Sequence, residues 1–112
     1  MKKVLLTGAT GFVGRQVLKH LLSYDCDLRL TVHGRSVEAF RDARIELLPS
    51  TDIFAAPISW WEPALEGITH VAHLAWPVSP DSYLQSGENL AALEGSIRLL
   101  QACRNSGIKR FL

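Results

Sequence analysis

The sequence predicts an α/β protein with a doubly wound parallel sheet, and three observations predict it. Short apolar runs alternate with segments of helical period from one end of the chain to the other. The first run passes into its helix through a turn that holds Gly8, Gly11 and Gly14. Hydrophobic residues make up 47% of the chain and charged residues 21%, the mix of a chain that folds around a core rather than a disordered or fibrous one. Strands and helices alternating at this pace indicate βαβ units, whose strands are parallel. The 112 residues suffice for one domain, 1–112, or a piece of one.

Val4-Leu5-Leu6, with charge before it and glycine after, suits a buried strand. From Val13 the period changes: Val13, Val17, Leu18, Leu21 and Leu22 recur at helical spacing, with Arg15, Gln16, Lys19 and His20 on the other face. Leu28 to Val32 is rich in strand formers and gives a second strand ending at His33-Gly34. Ser36 to Arg44 reads as a short polar helix, and Ile45 to Leu48 as a third strand before Pro49. Ser59-x-x-Glu62 has the form of a capping box with Pro63 in the first turn, so a short helix is expected from Ser59 to Leu65, stopped by Gly67. His70 to Leu74 is a fourth strand. The Pro, Ser, Asp and Gly of residues 77–87 mark a loop suited to border a cleft. Leu90, Leu93, Ile97, Leu99 and Leu100 then mark an amphipathic helix to about Arg104, with Gly107 as its left-handed cap. Ile108 to Leu112 begins a fifth strand, inside which the sequence stops.

Charge excludes some partners. Twelve Lys and Arg against eleven Asp and Glu leave a net +1, which is no footprint for nucleic acid or an anionic membrane. Met1-Lys2-Lys3 opens like a signal peptide, but the apolar run breaks at Thr7-Gly8, short of the roughly 7 to 15 residues such a segment needs. No stretch approaches the roughly 18 to 20 apolar residues of a membrane span. Cys26 and Cys103 fit no metal or redox spacing and suit reduced thiols. The expectation is a cytoplasmic protein.

Thr7-Gly8-Ala9-Thr10-Gly11-Phe12-Val13-Gly14 joins the first strand to the first helix, so backbone N–H groups and a helix N-terminus converge on one spot. Gly8 permits a tight turn, Gly11 lets the backbone meet phosphate with no Cβ in the way, and Gly14 lets helix and strand pack closely. The turn reads as a dinucleotide cradle, although its spacing is G-x-x-G-x-x-G and not the standard G-x-G-x-x-G; a plain glycine turn is the alternative.

These eight residues resemble the cofactor signature of the extended short-chain dehydrogenase/reductases, the NAD(P)-dependent epimerase/dehydratase family. The likeness continues in His73-Leu74-Ala75, similar to that family's H-L-A-A at the end of strand four. It runs on through Gly95-Ser96-x-x-Leu99-Leu100-x-Ala102, similar to G-T-x-x-L-L-x-A, and Gly107-Ile108-Lys109-Arg110-Phe111 before strand five. The resemblance implies a Rossmann-like fold truncated within strand five. It also implies a nicotinamide dinucleotide contacted by Gly8, Thr10, Gly11, Phe12, Val13 and Gly14. His73 to Trp76, with Tyr83-Leu84 and Glu88-Asn89-Leu90, looks more narrowly like members that act on nucleotide-sugars. Family dimers form through helices, one of them matching Leu90 to Arg104, which implies a homodimer.

Two departures stand out. Where the family has Asn three residues before the helix glycine, this chain has Ala92, with Asn89 one turn earlier. The family's catalytic Tyr-x-x-x-Lys follows strand five; here Tyr24 and Tyr83 are the only tyrosines, and four residues beyond them stand Leu28 and Gly87. No catalytic residue is therefore assigned, and binding without turnover is expected.

An acidic residue about 20 positions beyond the glycines would take the ribose 2′-hydroxyl of NAD, and an Arg there the 2′-phosphate of NADP. The chain offers His33, Gly34, Arg35 and Ser36. NADP is favoured over NAD, with Arg35 either on the phosphate or merely exposed in a loop. Asp52-Ile53 resembles the family's pair that meets the adenine amino group and covers the ring; a polar turn is the other account of Asp52. Leu74, Ala75 and Trp76 end strand four beside the switch point where open α/β sheets bind ligands. Trp76 borders the nicotinamide or substrate, or caps the core. His70 and His73 lie three apart on a strand and point to opposite faces, so they chelate no common ion and read as satisfied structural histidines.

Two functions fit. One is the amino-terminal cofactor part of an enzyme that passes hydride between a nucleotide-sugar and nicotinamide; the other is a non-catalytic NADP-binding regulatory or interaction module. Phe111-Leu112, apolar and within a strand, favours the first as an expectation.

Overall fold

Alternation along the first strand sends its side chains into two separate cores. In the computed structural model, which describes residues 2–33, 42–77 and 87–112, β1 spans Lys3–Thr7. Val4 and Leu6 pack with Leu18, Leu28, Leu30 and Ala72 on one face, and Leu5 packs with Trp61, Val71 and Leu99 on the other. Such continuous burial is what a strand of a parallel sheet covered on both faces requires.

After β1 the described elements are α1 (Phe12–Leu21), β2 (Asp27–Val32), β3 (Ile45–Pro49), α2 (Ile58–Ala64), β4 (His70–His73), α3 (Glu88–Asn105) and β5 (Arg110–Phe111). All five strands are parallel, in the order β3-β2-β1-β4-β5. Leu18 of α1 belongs to the first core, whereas α2 and α3 supply Trp61, Ala64, Leu99 and Ala102 to the second. The sheet is thus doubly wound, as the strand and helix pattern predicts, and it is Rossmann-like.

Two local expectations need correction. The expected polar helix falls mainly on residues outside those described, but its last part, residues 42–44, is a turn. There Asp42 Oδ1 accepts the Arg44 amide at 2.9 Å, a side-chain bond that competes with helix.

The second correction concerns α2. Ser59 lies inside the helix, the N-cap is Pro57 with no side-chain bond, and Pro63 sits in the last turn rather than the first. The Pro57 carbonyl accepts the amides of Trp60 and Trp61, and this start turns Trp61 and Ala64 into the core. Burying an indole outweighs a serine cap. Pro63 is exposed. The other end is held by Arg29, whose Nη1 donates to the carbonyls of Ala64 and Glu66 at 2.5 and 2.9 Å while Nε donates to Glu46 at 2.9 Å. Gly67, at φ +79°, closes the turn.

α3 runs where its leucines predict. Its buried face is Ala92, Gly95, Leu99, Ala102 and Cys103, while Leu90, Leu93, Ile97 and Leu100 are 48–68% exposed. Both stripes have helical spacing. The small one faces inward because the helix backbone closes on the segment after β3: a Cβ at Gly95 would lie 2.5 Å from Phe54 Cα. The helix ends in a Schellman motif, with Ile108 N–H to the Cys103 carbonyl, Gly107 N–H to the Arg104 carbonyl, and Gly107 at φ +70° as expected.

Candidate functional site

The connections from β1 and from β4 leave the sheet on opposite faces, so a crevice opens where these neighbouring strands end, the topological switch point. The glycine turn lines one side of it. Gly8 has φ +76°, and a Cβ there would stand 2.7 Å from the Ala75 nitrogen; Gly14 is buried, and its Cβ would stand 2.6 Å from the Gly8 carbonyl carbon. Gly11 differs. Its φ is −76°, its Cβ would meet only the Gly8 oxygen at 3.4 Å, and it N-caps α1 with no side-chain bond. The Gly11 amide itself donates to the Gly8 carbonyl at 3.1 Å.

A cavity of about 230 Å³ runs from this turn across the ends of β2 and β3. Gly8, Thr10, His33, Asp52, Ile53 and Ala75 line it, all singled out from the sequence, together with Thr31, Val32, Ser50, Thr51 and Phe54, which were not. A second cavity, of about 280 Å³, lies on the other side of the turn against Gly11, Leu74, Trp76 and Pro77. Gly8, Thr10, Phe54 and Ala75 line both.

Side chains fix these walls. Asp52 Oδ1 accepts the Phe54 amide at 2.9 Å, while Ile53 packs on the core beneath α2 and α3. Arg98 of α3 donates from Nε to the Ala56 carbonyl at 3.1 Å and from Nη2 to the Phe54 carbonyl. The Phe54 ring stands edge-on to His73 and Trp76, with centroids 6.1 and 6.4 Å away. Trp76 is 40% exposed and donates from Nε1 to Asn89 Oδ1 at 2.8 Å, so it borders the second cavity and does not cap the core. Ala92, where the family pattern has Asn, is fully buried.

Phe12 and Val13 are 79% and 58% exposed and line neither cavity; what they bring to the turn is their backbone in the first turn of α1. Arg35 and Tyr83 lie outside the described residues. Among the described residues no group of three His, Cys, Asp or Glu is placed to hold a metal ion. His70 meets Thr69 Oγ1 at 2.6 Å, and His73 bridges Thr7 and Ser96. Burial lowers the pKa of both rings, and Lys2, Lys109 and Arg110 lower that of His70 further. Burial pushes the Cys103 thiol up to about 11, which suits a core residue and not a nucleophile.

A doubly wound parallel sheet with a glycine turn at its switch point defines a Rossmann-like domain of the nucleotide-binding class. The family model described as the NAD dependent epimerase/dehydratase family matches residues 4–112, and the chain belongs to that family. It is 28% identical to the ketoreductase CTB6 of Cercospora nicotianae, over 96% of this chain and 34% of that protein. It is 30% identical to the dihydroflavonol 4-reductase of Hordeum vulgare, over 97% of this chain and 33% of that protein. The chain thus spans about a third of the length of these relatives.

Solved structures share the fold. The Bordetella bronchiseptica enzyme WbmG, in complex with NAD, matches at TM-score 0.76 and 24% identity, over 97% of this chain and 36% of that one. The UDP-glucose 4-epimerase of Thermus thermophilus, also with NAD, matches at 0.78 and 23% over the same shares. Yeast methylglyoxal/isovaleraldehyde reductase Gre2, with NADPH, matches at 0.76 and 16%, over 97% of this chain and 35% of that one. Among the described residues no helix is long and apolar enough to cross a membrane.

Proposed function

We propose that residues 1–112 are the dinucleotide-binding part of an NAD(P)-dependent oxidoreductase, epimerase or dehydratase, and that the cofactor's pyrophosphate lies on the turn between β1 and α1. The start of α1 carries this reading. No helix carbonyl can reach the amides of its first turn, the N-cap Gly11 brings no side-chain bond to them, and Gly11 itself lines one of the two cavities that meet at the switch point. An anion is the partner such donors take. The close approaches of Gly8 to Ala75 and of Gly14 to Gly8 keep side chains out of the phosphate path. The adenosine occupies the cavity of Thr31, Asp52 and Ile53, and the nicotinamide lies toward Leu74, Ala75 and Trp76. The cofactor supplies a hydride acceptor or donor.

NADP is preferred to NAD, because β2 runs out into His33-Gly34-Arg35-Ser36 with no carboxylate for a ribose 2′-hydroxyl. The substrate of the longer protein is a nucleotide-sugar, a reading supported by the fold shared with UDP-glucose 4-epimerase. Residues 1–112 bind without turnover, since neither Tyr24 nor Tyr83 has a lysine four residues on. The protein is cytoplasmic, and the exposed stripe of α3 is the face it offers to a second copy.

Calorimetric titration with NADP and NAD tests the central reading: binding of at least one is expected, and a folded protein that ignores both overturns it. Arg35→Ala is expected to lower the NADP-to-NAD affinity ratio by about tenfold; an unchanged ratio removes Arg35 from the site. Sugar oxidation or epimerisation by residues 1–112 alone would refute the assignment of proton transfer to residues outside them.

A further inference from the structure

Thr7 ends β1 fully buried, and three groups crowd its hydroxyl. The amides of Leu74 and Ala75 donate to Oγ1 at 3.0 and 3.1 Å, the first shared with the Thr7 carbonyl at 3.3 Å, and Nδ1 of His73, its partner across the β1–β4 ladder, lies 2.7 Å away. A hydroxyl has one proton and two lone pairs. With both lone pairs facing amides, the remaining bond is the one Thr7 donates, and Nδ1 must accept it. The ring therefore carries its hydrogen on Nε2 and donates it to Ser96 Oγ, 2.8 Å away on α3. One count of donors and acceptors fixes the tautomer and excludes the doubly protonated ring, which would bring a third donor to an oxygen already accepting two.

We propose that His73 is a positioning residue for the dinucleotide cleft: with Nδ1 bare it turns the Thr7 hydroxyl so that Leu74 and Ala75 are held against Gly8, and protonation of the ring frees that segment and weakens dinucleotide binding. This rests on the reading that the cofactor lies between the glycine turn and residues 74–76. The segment has no slack, because Ala75 lines both cavities and its nitrogen stands where a Cβ on Gly8 would clash.

Among the described residues the surroundings offer the imidazolium no counter-charge. β1 presents Thr7, α3 presents Ser96, the segment after β3 presents the Phe54 ring, and β5 presents the Phe111 ring at 6.1 Å. Among the described residues no charged side chain shifts the ring's titration, and burial alone lowers it.

The test is NAD⁺ affinity of the 112-residue chain by calorimetry from pH 8 to pH 5, with circular dichroism showing that the chain stays folded. NAD⁺ is used because it lacks the 2′-phosphate, which itself titrates near pH 6. Affinity is expected to fall toward tenfold per pH unit below the ring's titration, the limit for one linked proton. Hydrogen exchange at the Leu74 and Ala75 amides, corrected for its intrinsic pH dependence, is expected to quicken over the same interval. His73→Asn keeps an acceptor near the Nδ1 position and does not titrate; it is expected to bind within about threefold of the parent at pH 8 and to lose the pH dependence. His73→Leu removes the acceptor and is expected to bind about tenfold more weakly at every pH.

A flat parental profile in folded protein over an interval in which nitrogen NMR shows the ring taking up its proton, or a pH dependence that survives in His73→Asn, overturns the proposal. If neither NAD⁺ nor NADP⁺ binds at any pH, the cofactor reading fails, and exchange still judges the latch: rates at Leu74 and Ala75 indifferent to ring protonation overturn it. Nitrogen NMR reads the ring directly, and hydrogen on Nδ1 at pH 8 overturns it as well. These readouts on the parent chain suffice if a variant does not fold.

Discussion

The backbone of Gly14 rests on the carbonyl group of Gly8, so closely that a Cβ at position 14 would lie 2.6 Å from the Gly8 carbonyl carbon. Helix α1 and the turn that precedes it are in direct backbone contact, and any side chain at Gly14 must push them apart. Gly14→Ala is therefore expected to lower stability by about 2 kcal/mol. Gly11→Ala tests the other use of glycine: its Cβ has room and its φ is ordinary. That variant is expected to keep its stability within about 0.5 kcal/mol while losing tenfold or more in dinucleotide affinity. Urea unfolding and calorimetry on the two variants separate packing from binding.

Arg98 ties α3 to the wall of the cleft through the carbonyls of Phe54 and Ala56. Arg98→Met keeps the aliphatic stem and removes the donors, and a loss of about 2 kcal/mol is expected. Amide exchange is the sharper readout. The Ala55 and Ala56 amides, which donate to Asp52 and Ile53, should exchange faster in the variant, whereas those of β2 should not.

The Arg29 guanidinium holds the Glu46 carboxyl below its ordinary value; burial opposes this and Lys3 assists it. Glu46 thus binds a proton less readily folded than unfolded. Its contribution is present above the unfolded carboxylate pKa and is lost as pH falls through the lower folded one. Urea midpoints from pH 6 to pH 3 should fall more steeply for the parent than for Glu46→Gln. Because the Glu46 side chain is 54% exposed, added salt should narrow the difference.

Two leucines of α3 should behave oppositely. Leu99 is fully buried and Leu93 is 51% exposed. Leu99→Ala is expected to cost about 3 kcal/mol, and Leu93→Ala no more than about 0.5 kcal/mol. Denaturant unfolding of the two variants checks both.

The strands and the glycine turn were legible because their signals are local: an apolar run, a change of period, glycines at fixed offsets. Six of the residues read from sequence as cofactor contacts do meet around one cavity. Ser59 misled because a capping box is also a local pattern, while burial of Trp61, a tertiary demand, set where α2 begins. The leucines of α3 marked the helix but not its buried face, because two faces of that helix carry apolar residues, and only the approach of Gly95 to Phe54 decides which turns inward. Arg98 and Phe54 are 44 positions apart and Thr7 and His73 are 66 apart, and no periodicity within one element reports such pairs. The histidine was at least marked by its place beside Leu74 and Ala75.

Because β1 sits in the middle of the sheet and precedes both of its neighbours along the chain, it is synthesised before either strand it pairs with, and they arrive at different times. Residues 27–32 can zip onto it early, but its other edge waits for residues 70–73. Until then a nascent half-sheet presents Leu5 and the bare edge of β1 to its surroundings, a surface that chaperones bind and that strays into intermolecular pairing. Slowing translation between the codons for β3 and β4 would lengthen that exposed interval, and the yield of soluble protein would fall with it.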